Sequence, residues 1–199
     1  MFDSLYPTMQ WAAHRQHWPH ASHSRFIHAG GIQWHVQHCG QGPCLLLLHG
    51  TGSGSFSWRG LLPALAEVLA AAPFRNMLTP GGFTMSVGLS SCGSLGWTTD
   101  RSGYRYSHLD PRTQAPWPEM PAAFFALAQA AALEAGFADF VPDSCLINRY
   151  IPGAKMSLHQ DKDEKDYAAP IVSLSLGLPA IFLFGGFARS DKTRRISLL

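Results

Sequence analysis

His159-Gln160-Asp161 sets an imidazole and a carboxylate two residues apart. On extended backbone, residues i and i+2 point to the same side, so both side chains can meet one cation. The pair supplies two of the three donors of a 2-His-1-carboxylate site. Such a site holds Fe(II) and leaves positions open for a bidentate 2-oxoacid and dioxygen. Alone, the motif is short enough to recur by chance. The run Asp161-Lys162-Asp163-Glu164-Lys165-Asp166 reads equally as a solvated charged loop, and Trp97 and Tyr104 as half-buried aromatics.

Other metal or redox chemistry is less well supplied. His14, His17, His20 and His23 recur every third residue, which could line one side of a helix, but Pro19 interrupts the run and no acidic or cysteine partner is nearby. Cys39, Cys44, Cys92 and Cys145 include no C-x-x-C pair, which excludes zinc-ribbon and thioredoxin readings. Free thiols in a reducing compartment are expected, hence a cytoplasmic protein. Met1–Trp18 has no apolar core of a signal peptide, and apolar runs such as Leu45–Leu48 are too short for a bilayer.

Composition describes a globular chain: 199 residues, 46% hydrophobic, 14% charged and a net charge of +2, with no bulk signal for nucleic acid. The charge is uneven. Residues 1–66 hold only Asp3, Arg15, Arg25 and Arg59, with eight of the ten histidines, whereas residues 67–199 hold the remaining charges. Two parts are therefore expected, 1–66 and 67–199.

The elements that must position the site follow from periodicity. Residues 1–24 read as a loose leader. Arg25–His28, a turn at Gly30-Gly31 and Ile32–Val36 alternate as a hairpin; Leu45–Leu48 reads as a buried strand and Leu61–Ala72 as a helix. Phe83–Leu89, Ser144–Tyr150, Ile171–Leu176 and Ala180–Phe184 are strand candidates. Ala122–Ala135 is a helix stopped by Gly136. The fold class expected is mostly β with α: an antiparallel sandwich or jelly roll packed on a helix.

The strand Leu45–Leu48 followed by His49-Gly50-Thr51-Gly52-Ser53-Gly54 makes residues 17–66 resemble the opening of an α/β-hydrolase of the magnesium-chelatase accessory type. That family uses backbone N–H groups of such a loop in an oxyanion hole. No G-x-S-x-G elbow occurs in the chain, so hydrolase chemistry is not expected.

Residues 67–199 closely resemble the AlkB family, the Fe(II)/2-oxoglutarate-dependent dioxygenases of DNA and RNA alkylation repair. The runs that carry this are Thr79–Val87, Leu95–Thr99, Cys145–Glu164 and Pro170–Ala180. The resemblance implies a double-stranded β-helix and the cofactors Fe(II) and 2-oxoglutarate with dioxygen as co-substrate. His159 and Asp161 would be the catalytic metal ligands. Asn148, Arg149 and Tyr150 would contact 2-oxoglutarate. Trp97 would stack on a flipped base, and Tyr104, Arg105 and Tyr106 would line the nucleotide and its phosphate, although the family usually has an apolar residue at the Arg105 position. Asp163 would meet the base's exocyclic amine; Thr79, Met85, Glu164 and Arg189 match positions around the substrate. The implied reaction is oxidative demethylation, in which 2-oxoglutarate becomes succinate and CO2 and the hydroxylated N-methyl group leaves as formaldehyde. The implied partner is alkylated DNA, single- or double-stranded, or RNA, with no membrane role and a monomeric chain.

The family closes its metal triad with a second histidine well downstream and binds 2-oxoglutarate with arginines beyond it. No histidine follows His159, and Arg194 and Arg195 come too early to match those arginines. The expectation is therefore a truncated domain behind a foreign leader, with weak iron binding and little turnover. An α/β-hydrolase relative and a non-catalytic nucleic-acid-binding remnant are the alternatives.

Overall fold

The computed structural model describes residues 10–41, 58–175 and 180–198. The described residues up to Gly60 form one compact unit and those from Leu61 onward a second. The helix Leu61–Ala71 runs unbroken through residue 66 and belongs to the second unit.

In the first unit, α1 (Trp11–His14) and two short 3-10 turns lead into β1 (Ser24–Ala29) and β2 (Ile32–Gln37). The expected hairpin forms, with Phe26 opposite His35. Gly30 and Gly31 both take positive φ, +59° and +76°, as a two-residue turn matched to strand twist requires. The expected loose leader is not loose over residues 10–23. The Gln37 side-chain amide donates to the carbonyls of Pro19 (2.6 Å) and His20 (2.9 Å), and the rings of Trp11, Trp18 and Phe26 close around His35. The histidine ladder does not share a helix face, because α1 ends at His14 and His20 sits in the left-handed region. Leu45–Leu48 and the His49–Gly54 loop lie outside the described residues.

The second unit starts with α2 (Leu61–Ala71), rich in leucine and alanine, with Pro63 in the first turn where its missing N–H costs nothing. Val68 is its buried residue, and Pro73 lies just beyond its end. α3 (Ala122–Glu134) ends as expected at Gly136. There the Phe137 N–H donates to the Ala132 carbonyl and the Gly136 N–H to the Leu133 carbonyl, a Schellman closure with Gly136 at φ +92°.

The strands of this unit are β3 (Gly88–Gly93), β4 (Gly96–Asp100), β5 (Gly103–Ser107), β6 (Ser144–Arg149), β7 (Ala180–Phe184) and β8 (Arg194–Leu198). Among the described residues they form antiparallel pairs, β3–β6, β4–β5 and β7–β8, and no continuous eight-stranded roll. The expected strand from Phe83 to Leu89 begins only at Gly88: residues before it fold into a tight turn in which Thr79 and Phe83 are bonded and Met85 pairs back to Met77. Ile171–Ser175 makes no strand, and Leu176 lies outside the described residues.

The β3–β6 sheet has two distinct faces. Its register places Leu89 opposite Asn148 and Ser91 opposite Leu146 on one face, and Gly88 opposite Arg149 and Cys92 opposite Cys145 on the other. Leu89 joins Met77 and Val87 in the core, against which Met85, Trp97, Leu146 and Met156 pack. On the other face Ser90 donates to the Ala72 carbonyl at the end of α2, and Arg149 lies 4.7 Å over the Phe74 ring. A buried bolt fixes the start of this framework. Arg75 donates to both carboxylate oxygens of Asp110 (2.6 and 2.9 Å) and lies over Trp117.

Candidate active site

His159 and Asp161 sit on a segment without regular secondary structure, not on a strand. The backbone is extended enough to bring them together all the same. His159 Nε2 lies 3.5 Å from Asp161 Oδ1, with both side chains about half exposed (52% and 53%). The ring is oriented by its other nitrogen, 2.7 Å from the Ser157 carbonyl oxygen. A carbonyl only accepts, so Nδ1 donates to it and Nε2 is the nitrogen turned toward the carboxylate. This is the orientation a metal-binding imidazole needs, held by the kind of outer partner such ligands use.

An imidazole nitrogen and a carboxylate oxygen suit a divalent transition-metal ion. As two donors of an iron site, His159 and Asp161 therefore fit. Among the described residues no group of three or more histidine, cysteine or carboxylate side chains gathers to complete such a site.

The segment is tethered on both sides of the pair. Upstream, the Ser86 hydroxyl donates to the Lys155 carbonyl and accepts the Lys155 N–H. Around His159, Arg189 donates to the Leu158 carbonyl (2.9 Å) and the Gln160 amide to the Phe187 carbonyl (2.8 Å). Downstream, Trp97 Nε1 donates to Asp163 (3.3 Å) and the Tyr106 hydroxyl to Glu164 (3.2 Å). Burial, then the Glu164 hydrogen bond, pushes the Tyr106 phenol above its ordinary pKa. Burial likewise raises Glu164, against the lowering effect of Tyr106.

The β4–β5 hairpin presents the aromatic residues. Trp97 is opposite Tyr106 and Thr99 opposite Tyr104, so Trp97, Tyr104 and Tyr106 share one face. Trp97 and Tyr104 stack diagonally, with centroids 5.7 Å apart and planes 21° from parallel. Arg105 alternates to the opposite face. There it grips Asp100 with both terminal nitrogens (2.6 and 3.1 Å), which lowers Asp100 to about 2. Its guanidinium is thus paired rather than turned toward the face that Tyr104 and Tyr106 share.

The remaining expected residues divide the same way. Asn148 and Tyr150 are exposed and alternate with Arg149, which packs against Phe74 on the helix side of the sheet. Of that run, Asn148 shares a sheet face with Leu89, while Arg149 does not. Met85 packs against the core, and the Thr79 hydroxyl accepts the Phe83 N–H within its own turn. Ser86, Ser157, Gln160 and Asp100 were not expected in sequence. Gln160, between the two candidate ligands, offered a positional signal; the Ser157 carbonyl, like any backbone group, offered none.

The model of the 2OG-Fe(II) oxygenase superfamily matches residues 54–199. The chain is 61% identical over 138 residues to the alpha-ketoglutarate-dependent dioxygenase AlkB of Escherichia coli, covering 69% of this chain and 64% of that protein. It is 46% identical over 150 residues to the AlkB homolog of Caulobacter vibrioides, covering 71% and 66%. The human nucleic acid dioxygenase ALKBH1 is 32% identical over 98 residues, covering 49% and 25%. The chain thus spans just under two thirds of the bacterial relatives it matches. Among solved structures, OsALKBH1 superposes with a TM-score of 0.55 at 24% identity, over 68% of this chain and 67% of that one, which shows a shared fold.

Proposed function

The chain belongs to the 2OG-Fe(II) oxygenase superfamily, and from that premise we propose that its second unit is an AlkB-type domain for oxidative demethylation of alkylated bases in DNA or RNA. The family uses Fe(II), 2-oxoglutarate and dioxygen. The observation that carries the reading is the His159 ring, turned by Ser157 so that Nε2 faces Asp161 3.5 Å away. Loaded with iron, 2-oxoglutarate and dioxygen, such a site oxidises an N-methyl group to a hydroxymethyl group that leaves as formaldehyde.

This chain's own residues would hold and orient. His159 and Asp161 hold the metal. Asn148, near the end of β6, and Tyr150, just beyond it, contact 2-oxoglutarate. A base must leave its stack to be reached, and the faces of Trp97 and Tyr104 offset part of the unstacking cost. Asp163 accepts from the exocyclic amine of that base, and Arg189, Thr79, Met85 and Glu164 lie around it. The strand pairs are the framework of a double-stranded β-helix, a reading supported by the likeness to OsALKBH1. The α/β-hydrolase likeness of residues 17–66 rests on sequence order and gains no support from the family match, which begins at residue 54. Cys39, Cys92 and Cys145 are free thiols, which supports a cytoplasmic setting.

A second reading has a specific observation in its favour. The Trp97–Tyr104 ring stack, with Tyr104 exposed, would let the domain bind damaged strands without turnover. Incubating the full chain with Fe(II), 2-oxoglutarate and an N-methylated oligonucleotide separates the two. Succinate and formaldehyde that vanish with His159→Ala support demethylation. Strand binding that depends on Trp97, without succinate, supports the binding module. Neither result would sink both.

A further inference from the structure

Resting on the metal-site reading above, we propose that Tyr106 is a positioning residue for the metal pair: with its cross-strand neighbour Trp97 it clamps the loop that carries Asp161. Trp97 and Tyr106 are direct register partners, so their side chains leave the β4–β5 hairpin side by side on one face. Their polar tips reach consecutive residues. Trp97 Nε1 donates to Asp163 Oδ2, and the Tyr106 hydroxyl donates to Glu164 Oε1. These carboxylates begin two residues after Asp161.

The loop needs such tethers. Residues 158–164 make no helix and no strand ladder, so their backbone has no local source of stiffness. On the His159 side, Arg189 and Gln160 supply it through the Leu158 and Phe187 carbonyls. On the Asp161 side, the clamp supplies it. Its two arms are not equivalent. The bond from Trp97 to Asp163 is exposed, and Trp97 is also stacked on Tyr104. A base entering against Trp97 pulls on that arm. The bond from Tyr106 to Glu164 is half-buried, and among the described residues Tyr106 joins no ring stack. Tyr106 therefore keeps the loop in place while Trp97 is engaged. Positions of ligands are held by partners of this kind, whose loss reduces metal affinity without touching a ligand.

The test is a Co(II) titration of the full chain, read by d–d absorption and tryptophan fluorescence. Tyr106→Phe removes one hydroxyl. Its Co(II) affinity is expected to fall about 10- to 100-fold, the size typical of lost outer partners, with an altered d–d spectrum and an unchanged circular dichroism spectrum. Glu164→Gln keeps an acceptor oxygen and is expected to bind like the parent, whereas Glu164→Leu is expected to match Tyr106→Phe and carries the test if that variant fails to fold. Parent-like affinity and spectrum in Tyr106→Phe and Glu164→Leu, in a chain where His159→Ala abolishes binding, overturn the clamp and leave the metal site standing. Co(II) binding that ignores His159→Ala overturns the metal site, and the clamp with it.

Discussion

Two arginines of the second unit make the same kind of bond with different consequences. Arg75 and Asp110 are mostly buried, with side-chain exposures of 19% and 7%. Removing one partner leaves an uncompensated charge under Trp117, so Asp110→Ala is expected to cost about 3–5 kcal/mol in urea denaturation. Arg105 and Asp100 are exposed, 40% and 42%, where water and salt screen the pair. Their bond is visible in titration instead. Asp100, at about 2, lies below the ordinary carboxylate range because the Arg105 guanidinium and the Ser102 N–H stabilise its charge. A depressed carboxylate contributes stability above its unfolded value near 4 and loses it as pH falls through the folded value. The window is thus from about 4 down to about 2. Carboxyl-carbon NMR is expected to find the Asp100 midpoint near the lower end, moved upward by Arg105→Ala; an unmoved midpoint would mean that the pair does not set it.

Among elements, α3 was the most readily legible. Its alanine–leucine composition and the glycine after it are local signals, and both bounds were met within a residue or two. Gly136 closes it at φ +92° with nothing near its missing Cβ, so the cost of a side chain there is conformational rather than steric. Gly136→Ala is expected to lower stability by about 1–2 kcal/mol, the cost of a left-handed residue, as a shift in the urea midpoint at constant slope. The segment before β3 departs from the expected strand for a related reason. Phe83, Met85 and Val87 alternate as a strand does, but alternation is equally met by a tight turn whose far limb pairs with Met77. Alternation records which side a residue faces, not which chain it bonds to. The Ile171–Ser175 run failed in the same way, with no partner strand to pair with among the described residues.

For the whole molecule, the two units are expected to respond to acid at different points. In the first, burial among Trp11, Trp18 and Phe26 holds the His35 pKa below its ordinary value. Its unfolded form takes up a proton near pH 6.5 that the folded form refuses. The cluster therefore loses stability as pH falls below about 6.5, until the folded ring itself protonates. Fluorescence of Trp11 and Trp18 should follow that loss, and His35→Phe should remove its pH dependence. The Arg105–Asp100 pair of the second unit is untouched in this range, because its window begins only near pH 4.

Short-range chemistry in the sequence determined the first hairpin, both longer helices, strands β6 and β7, and the runs that resemble AlkB. It also made the meeting of His159 with Asp161 possible, since residues i and i+2 on extended backbone face one side. Tertiary structure alone decided which nitrogen of His159 faces Asp161, because the Ser157 carbonyl is chemically like any other. It also decided that Arg105 and Arg149 turn to the faces opposite Tyr104 and Asn148. Residue type states what a side chain can bind. Strand register and packing state which side it leaves from, and those depend on residues far away in the chain.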